Sequence, residues 1–394
     1  MAGSALATPQ VQPVAMQGIA IPAAIVDKQA FFARTRRHTQ QEKSLSFTLG
    51  TSTRDIIPLR KSDILSEVTL HITGSLVITP GTGSVASTAA WPYNLIRNVK
   101  FSANGASSLI SARGWTLKAR EIAKDEGLTD RGVAQTVGGA SKNQGTLSLG
   151  CEAWGVGQNT SALGSQTVPI DLVLTIPVAE DQFDLSGAIF LQTASAELAV
   201  EIEWANTSDL FTLVGNGTAA LTGTVSVQST KFEIPTANGA IIVPDLSMFH
   251  SLVETNTVAL SNGENEAVVV GQGAGKYVLR VIYQHMNGTV PAPIPMTAAN
   301  FGLQAWRYGT SETPDQWVDG SKLRIAMERA YSADLGGLQG FGVHEFAKAG
   351  FRDLVDMGTT TDLRLVTTIL NSVTLTTPKL WYAVESVYRS GSAG

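Results

Sequence analysis

Through much of the chain, apolar and polar residues alternate one for one. Val200, Ile202 and Trp204 are interleaved with Glu201 and Glu203. Side chains alternate faces along a strand, so this segment buries one face and wets the other. Leu45, Phe47 and Leu49 repeat the pattern against Ser and Thr, as do Val68, Leu70 and Ile72 ahead of Leu76 and Ile78. Asn94–Phe101 is a further strand, and Asp184-Leu185-Ser186-Gly187 reads as a corner, a short polar residue leading to a glycine. A short helix is expected after Gly114, where Trp115, Ala119 and Ile122 share a face. Strand, corner, excursion and strand in succession predict a β-sandwich.

The second half repeats this plan in different letters. Strands are expected at Val268–Val270, Tyr277–Tyr283, Asn300–Tyr308, Leu363–Ile369 and Leu380–Tyr388. In the last, Leu380, Tyr382 and Val384 face away from Trp381, Ala383 and Glu385. Pro314–Trp317 reads as a turn before a helix with Leu323, Met327 and Ala330 in register. Asn94 precedes Trp115 by 21 residues, and Asn300 precedes Lys322 by 22. Matching spacings point to two copies of one sandwich. Pro235 and Pro244 bracket an extended connector at Ile241–Val243. The expected divisions are an arm and helix over 1–43, a first sandwich over 44–236, and connector plus second sandwich over 237–394. Residues 127–166, rich in Gly, Ser, Thr and Asn around Trp154, read as a long functional loop.

Composition narrows the function. Charged residues make up only 15% of the chain, against roughly 25% in an average soluble protein. A surface this neutral suits burial against other subunits. The net charge of −5 gives no footprint of a nucleic-acid binder. Cys151 stands alone, which excludes an intramolecular disulfide framework and a cysteine zinc site, and it reads as a plain small residue. Apolar runs fall short of the ~18 residues of a membrane span. The first cation is Lys28, so the start lacks the basic end of a signal peptide, and a soluble protein without classical export is expected.

The charge is unevenly placed. Residues 1–43 carry a net +3 and the remainder −8. Up to Pro22 the chain reads as an arm with little fold of its own. A helix is expected over Ala23–His38, apolar and then basic, with Lys28, Phe31, Phe32, Arg34, Arg36 and Arg37 as contact residues. Such a helix suits anionic lipid headgroups or a neighbouring subunit. Capping the base of its own subunit is the alternative.

Candidate chemistry is sparse. His38, His71, His250, His285 and His344 never pair at metal-ligand spacing. Glu180, Asp181 and Asp184 lack the spacing of a calcium loop and read as a solvated corner. Gly271–Lys276 is followed by strand residues, so a hairpin is expected in place of a phosphate loop. Glu201 and Glu203 lie on one strand face with nothing to mark a cleft. No catalytic, metal or cofactor residue is expected.

The order of segments resembles the tectivirus-type double jelly-roll major capsid proteins over about residues 45–390. The likeness rests on Pro92-Tyr93-Asn94-Leu95 leading to Gly114-Trp115, and on Ile176-Pro177 with Asp184-Leu185-Ser186-Gly187. It continues in Pro244-Asp245-Leu246-Ser247 between the halves, Pro314–Trp317 before the second helix and Gly342-Val343 after it. The resemblance implies an all-β fold of two tandem eight-stranded jelly rolls, each with a short flanking helix, plus an N-terminal arm and helix. It also implies a homotrimeric, pseudo-hexagonal capsomer in an icosahedral shell around an internal membrane and double-stranded DNA. The implied partners are other copies, penton and minor coat proteins, and that membrane through the arm. The implied place is the virion, with assembly in the host cytoplasm and no enzymatic activity. A tandem jelly-roll protein binding or acting on carbohydrate is the rival class, to be marked by a cleft of clustered aromatics and paired acids.

Overall fold

The computed structural model describes residues 11–16, 19–88, 91–103, 108–124, 136–137, 140–141, 159–182, 184–190, 197–288, 292–308, 312–331, 335–337, 340–347 and 354–389. Two strands, β1 (Val11–Met16) and β2 (Ile19–Ile25), and a five-residue helix α1 (Lys28–Phe32) precede the first sandwich. That sandwich contains β3 (Arg37–Thr48), β4 (Arg54–Pro58), β5 (Ile64–Thr79), β6 (Ile96–Ala103), β7 (Ile110–Ala112), helix α2 (Gly114–Lys124), β8 (Gln166–Ile176), β9 (Leu198–Trp204) and β10 (Thr218–Phe232). A connector strand β11 (Ala240–Val243) leads to β12 (Met248–Ala259), β13 (Gly263–Gly271), β14 (Lys276–Asn287), β15 (Phe301–Tyr308) and β16 (Glu312–Trp317). Helix α3 (Gly320–Tyr331), β17 (Phe341–Glu345), β18 (Asp362–Ile369) and β19 (Lys379–Arg389) complete the chain.

Counting the principal strands one to eight within each half gives the same two sheets twice, in the orders 6-3-8-1 and 5-4-7-2. In both halves the helix lies between the fifth and sixth strands. This is a double jelly roll. Alternation places Val68, Leu70, Ile72, Leu76 and Ile78 of β5 inside, and Val200, Ile202 and Trp204 of β9 opposite them. One apolar cluster runs through both rolls. Their sheets are also joined directly, because β7 pairs in parallel with β12 at Ile110–Leu252 and Ser111–Val253.

Several expectations need correction. No helix spans Ala23–His38. Ile25 is still strand, paired in parallel with Val243, and Arg37 already pairs with Phe232. Strand pairing at both ends leaves only Lys28–Phe32 free to coil, with the Asp27 side chain capping the Gln29 N–H at 3.0 Å. The first sheet therefore starts at Arg37, ahead of the expected Leu45. The arm also has structure, since β1, β2 and β11 share a sheet. Pro314–Trp317 lies within the fifth strand of the second roll rather than in a turn. The alternation in β19 is real, but both faces are covered, because helix α2 packs behind it. Residues 127–166 lie largely outside the described residues, as do Cys151 and Trp154.

Candidate functional site at the junction of the two rolls

Helix α2 is buried almost all round, which marks a helix enclosed between two bodies. Arg113, Thr116 and Arg120 recur at three- and four-residue spacing and so share a face. Against them the second roll sets His250 and Glu254 of β12, Arg280 and Gln284 of β14, and Glu385 of β19. An even spacing puts each strand pair on one side of its strand.

The geometry is that of a closed charge network. Arg113 Nε donates to Glu254 Oε1 at 2.8 Å and its Nη2 to Gln284 Oε1 at 2.7 Å. Its own N–H donates to Glu254 Oε2 at 2.8 Å, and Thr116 Oγ1 to Glu254 Oε1 at 2.8 Å. The Arg113 guanidinium also lies 4.4 Å over the Trp381 ring. A residue that binds both rolls in this way fixes their relative position.

Deeper in, Glu385 is wholly buried. It meets Arg120 Nη2 at 2.6 Å, His250 Nε2 at 2.9 Å, and Arg280. His250 Nδ1 faces the Pro177 carbonyl at 2.8 Å, and Arg120 Nη2 donates to the Glu180 carbonyl at 3.1 Å. Burial pushes the Glu385 carboxyl up, but Arg120 and Arg280 overcome this and hold it well below the usual range. Burial works against the charge of Arg280, yet Glu385 and Glu345 raise its pKa. Burial pushes the Glu345 carboxyl up. Such a network fixes geometry when complete and costs heavily when one partner is lost. Its carboxylates are occupied by guanidinium and imidazole groups.

The corner at Asp184–Gly187 seals this junction from below. Leu185 and Gly187 have φ of +53° and +88°. A side chain on Gly187 would place Cβ 2.2 Å from the His250 Cβ, so only glycine allows this approach. The nearby acids are not free to bind a cation. Lys124 pairs with Glu180 and lies 3.7 Å from Asp181, and Lys28 pairs with Asp184. Among the described residues, no group of three metal-ligating side chains converges.

The contact residues expected between Lys28 and Arg37 separate. Phe31 is buried and Phe32 half-buried, in a second apolar cluster with Phe232, Ile64, Leu185 and Ile242. The ring centroids of Phe31 and Phe32 lie 6.4 and 5.7 Å from that of Phe232. Arg37 donates to Gln182 Oε1 at 2.6 Å while remaining exposed. Arg34 and Arg36 are exposed too, and the exposed Arg60 and Lys61 lie on the loop tied to this segment by His38–Asp63 at 3.7 Å. On the outer sheet face Glu201 meets Arg54 at 2.6 Å, and Glu203 meets Lys100 at 2.6 Å, a surface ion network. Sequence reasoning missed the junction network altogether. The alternation sets Glu385 on the face of β19 away from Leu380, Tyr382 and Val384, with the helical spacing of Arg113, Thr116 and Arg120 as a signal that it was buried.

A family profile described as the P3 major capsid protein N-terminal domain matches residues 18–253. No curated protein sequence matches. The crystal structure of the STIV major capsid protein is similar with a TM-score of 0.60 at 13% identity, over 90% of this chain and 97% of that one. The protein in the atomic structure of Sulfolobus turreted icosahedral virus gives 0.58 at 15%, over 90% and 91%. The major capsid protein P2 of bacteriophage PM2 gives 0.47 at 12%, over 91% and 100%.

Proposed function

Because this chain belongs to the P3 major capsid protein family, we propose that it tiles an icosahedral shell as a homotrimeric, nearly hexagonal capsomer. It is a structural protein of the virion. Three chains supply six rolls, and a trimer then fits a lattice of six neighbours. The observation that carries this is the repeated sheet order, 6-3-8-1 and 5-4-7-2, in two rolls welded by buried charge. Two similar blocks held rigidly side by side are what a pseudo-hexagonal unit needs. The function is assembly and enclosure, with no reaction of its own. Penton and minor coat proteins complete the shell, which encloses an internal membrane and double-stranded DNA and assembles in the host cytoplasm. The two rolls divide near residue 236, with 237–394 as connector and second roll.

The basal segment is the proposed membrane contact. Phe31 and Phe32 anchor it to the first roll, Lys28 is held by Asp184, and Arg34, Arg36 and Arg37 face outward. Exposed arginines clustered in one segment suit anionic headgroups. Light scattering after size exclusion tests the capsomer. A mass near three times 41.5 kDa is expected, and a monomer at all concentrations would sink it. Flotation with anionic liposomes tests the base. Replacing Arg34, Arg36 and Arg37 by Ser should release capsomers from the vesicles, and unchanged flotation would remove the lipid role.

A further inference from the structure

The junction within the chain is a template for the junction between chains. Each roll can be aligned on a bulge in its third strand. In β5, Thr230 faces Glu67 while Lys231 faces Leu65, and in β14, Glu385 faces Arg280 while Ser386 faces Val278. Thr39 faces Thr230 and Leu252 faces Glu385, so Thr39 and Gln40 of β3 correspond to Leu252 and Val253 of β12. The fifth strands align through their neighbours. The fourth strand of each roll has a register shift near its start, beyond which Trp204 faces Ile96 and Ile369 faces Phe301, so Ile202 and Thr367, Val99 and Gln304, and Phe101 and Trp306 are counterparts. Phe101 faces Ile110 and Trp306 faces Asp315, so Ile110 and Ser111 of β7 correspond to Asp315 and Gln316 of β16.

The two sets differ in one respect. Leu252 and Val253 accept β7 in parallel, whereas β3 and β16 each end their sheets with an edge that has no partner strand among the described residues. A twelve-residue edge such as β3 is a liability unless something covers it. The helices differ in the same sense. Helix α2 is enclosed by the second roll, while α3 leaves Ile325 49% exposed and Val318, just before it, 71% exposed. The counterpart of the surface that α2 covers is the outer face of β3, β10 and β5. By the same alignment His250, Glu254, Arg280, Gln284 and Glu385 correspond to Arg37, Gln41, Glu67, His71 and Thr230, a polar face with no helix of its own roll over it among the described residues.

We propose that β16 of one copy pairs in parallel with β3 of the next, Asp315 beside Thr39 and Gln316 beside Gln40, while α3 settles on that polar face. The occupant is a second copy of this chain, joined head to tail, and the repeated operation closes the ring. Pro314 is tolerated because β16 is an edge strand. The inference rests on the capsomer reading and specifies its contact.

The test is site-directed cross-linking of full-length capsomers in a Cys151→Ser background. Adjacent strands lie about 4.8 Å apart, within disulfide reach. Gln40→Cys combined with Gln316→Cys should give covalent trimers on oxidation. Each single variant should give none, and a mixture of the two singles should stop at dimers. Thr167→Cys on the opposite sheet edge, combined with Gln316→Cys, should give none. A trimeric mass without the Gln40–Gln316 cross-link, or with the Thr167 cross-link, would overturn the pairing and leave the trimer standing. A monomeric mass for the unmodified protein would overturn both. Ile325→Glu should raise the concentration at which capsomers dissociate at least tenfold while the monomer keeps its unfolding midpoint. Unchanged dissociation would overturn the seat proposed for α3.

Discussion

The two rolls share strand order and bulge but not core chemistry. Leu70, Ile72, Val99 and Ile202 form a wholly apolar layer in the first roll. The aligned positions in the second are Tyr283, His285, Gln304 and Thr367, all buried. Gln304 Nε2 donates to Thr367 Oγ1 at 2.5 Å, and burial pushes His285 down to about 3. The outer faces differ as well: Glu385 sits in a buried charge network under α2, while its counterpart in the first roll is Thr230. Register and topology are thus separable from composition, because backbone pairing sets the sheet and different sets of side chains of suitable volume can fill it.

The largest effect should come from breaking the covered face of the second roll. Glu385→Ala leaves Arg120 and Arg280 buried without their shared partner and should cost about 3–5 kcal/mol in denaturant unfolding. A loss below the experimental error would show that the network does not hold the rolls together.

Acid should then separate the cores. An ordinary histidine titrates at 6.5 and His285 at about 3. The unfolded chain therefore takes up this proton first, so the contribution is complete above pH 6.5 and is lost as pH falls toward 3. The slope is up to about 1.4 kcal/mol per pH unit for one such group. His285→Leu, which gives the second roll a residue like Ile72, should flatten stability over this window. An unaltered slope would assign the acid sensitivity elsewhere.

Gly187→Ala should cost about 1–3 kcal/mol for its backbone alone, with the clash against His250 in addition. A neutral result would mean that the corner can move away. Converting the polar pair of the second roll to that of the first should cost less. Thr367→Ile alone strands Gln304 and should lose about 1–3 kcal/mol, whereas Gln304→Val with Thr367→Ile should be near neutral. Additive losses in the cycle would contradict the pairing. Glu201→Gln, on the open face of the first roll, should leave the unfolding midpoint within measurement error.

Much of the fold was legible because most strands bury one face. Val200, Ile202 and Trp204 announced β9, and Leu323 and Met327 anchored α3 where the periodicity put them. The repeat of strand, turn and helix was visible from spacing alone, though the turn before the second helix proved to be a strand. The candidate site was not. His250, Arg280 and Glu385 come from three strands far apart in sequence, and each reads singly as an ordinary surface residue. The helix expected over Ala23–His38 is shortened for a related reason. Its pattern of apolar and basic residues fits a helix, but pairing of Ile25 with Val243 and Arg37 with Phe232 outweighs that local preference.

The sequence by itself determined that the chain is built from strands, that it falls into two similar halves, and that its surface is low in charge. These properties follow from side-chain alternation and composition, which are local. The tertiary structure alone decided which sheet edges are paired and which stay open, and that a helix of the first roll lies on the charged back of the second. Those outcomes depend on groups that meet only after long-range pairing has brought the strands together, and no local pattern records such meetings.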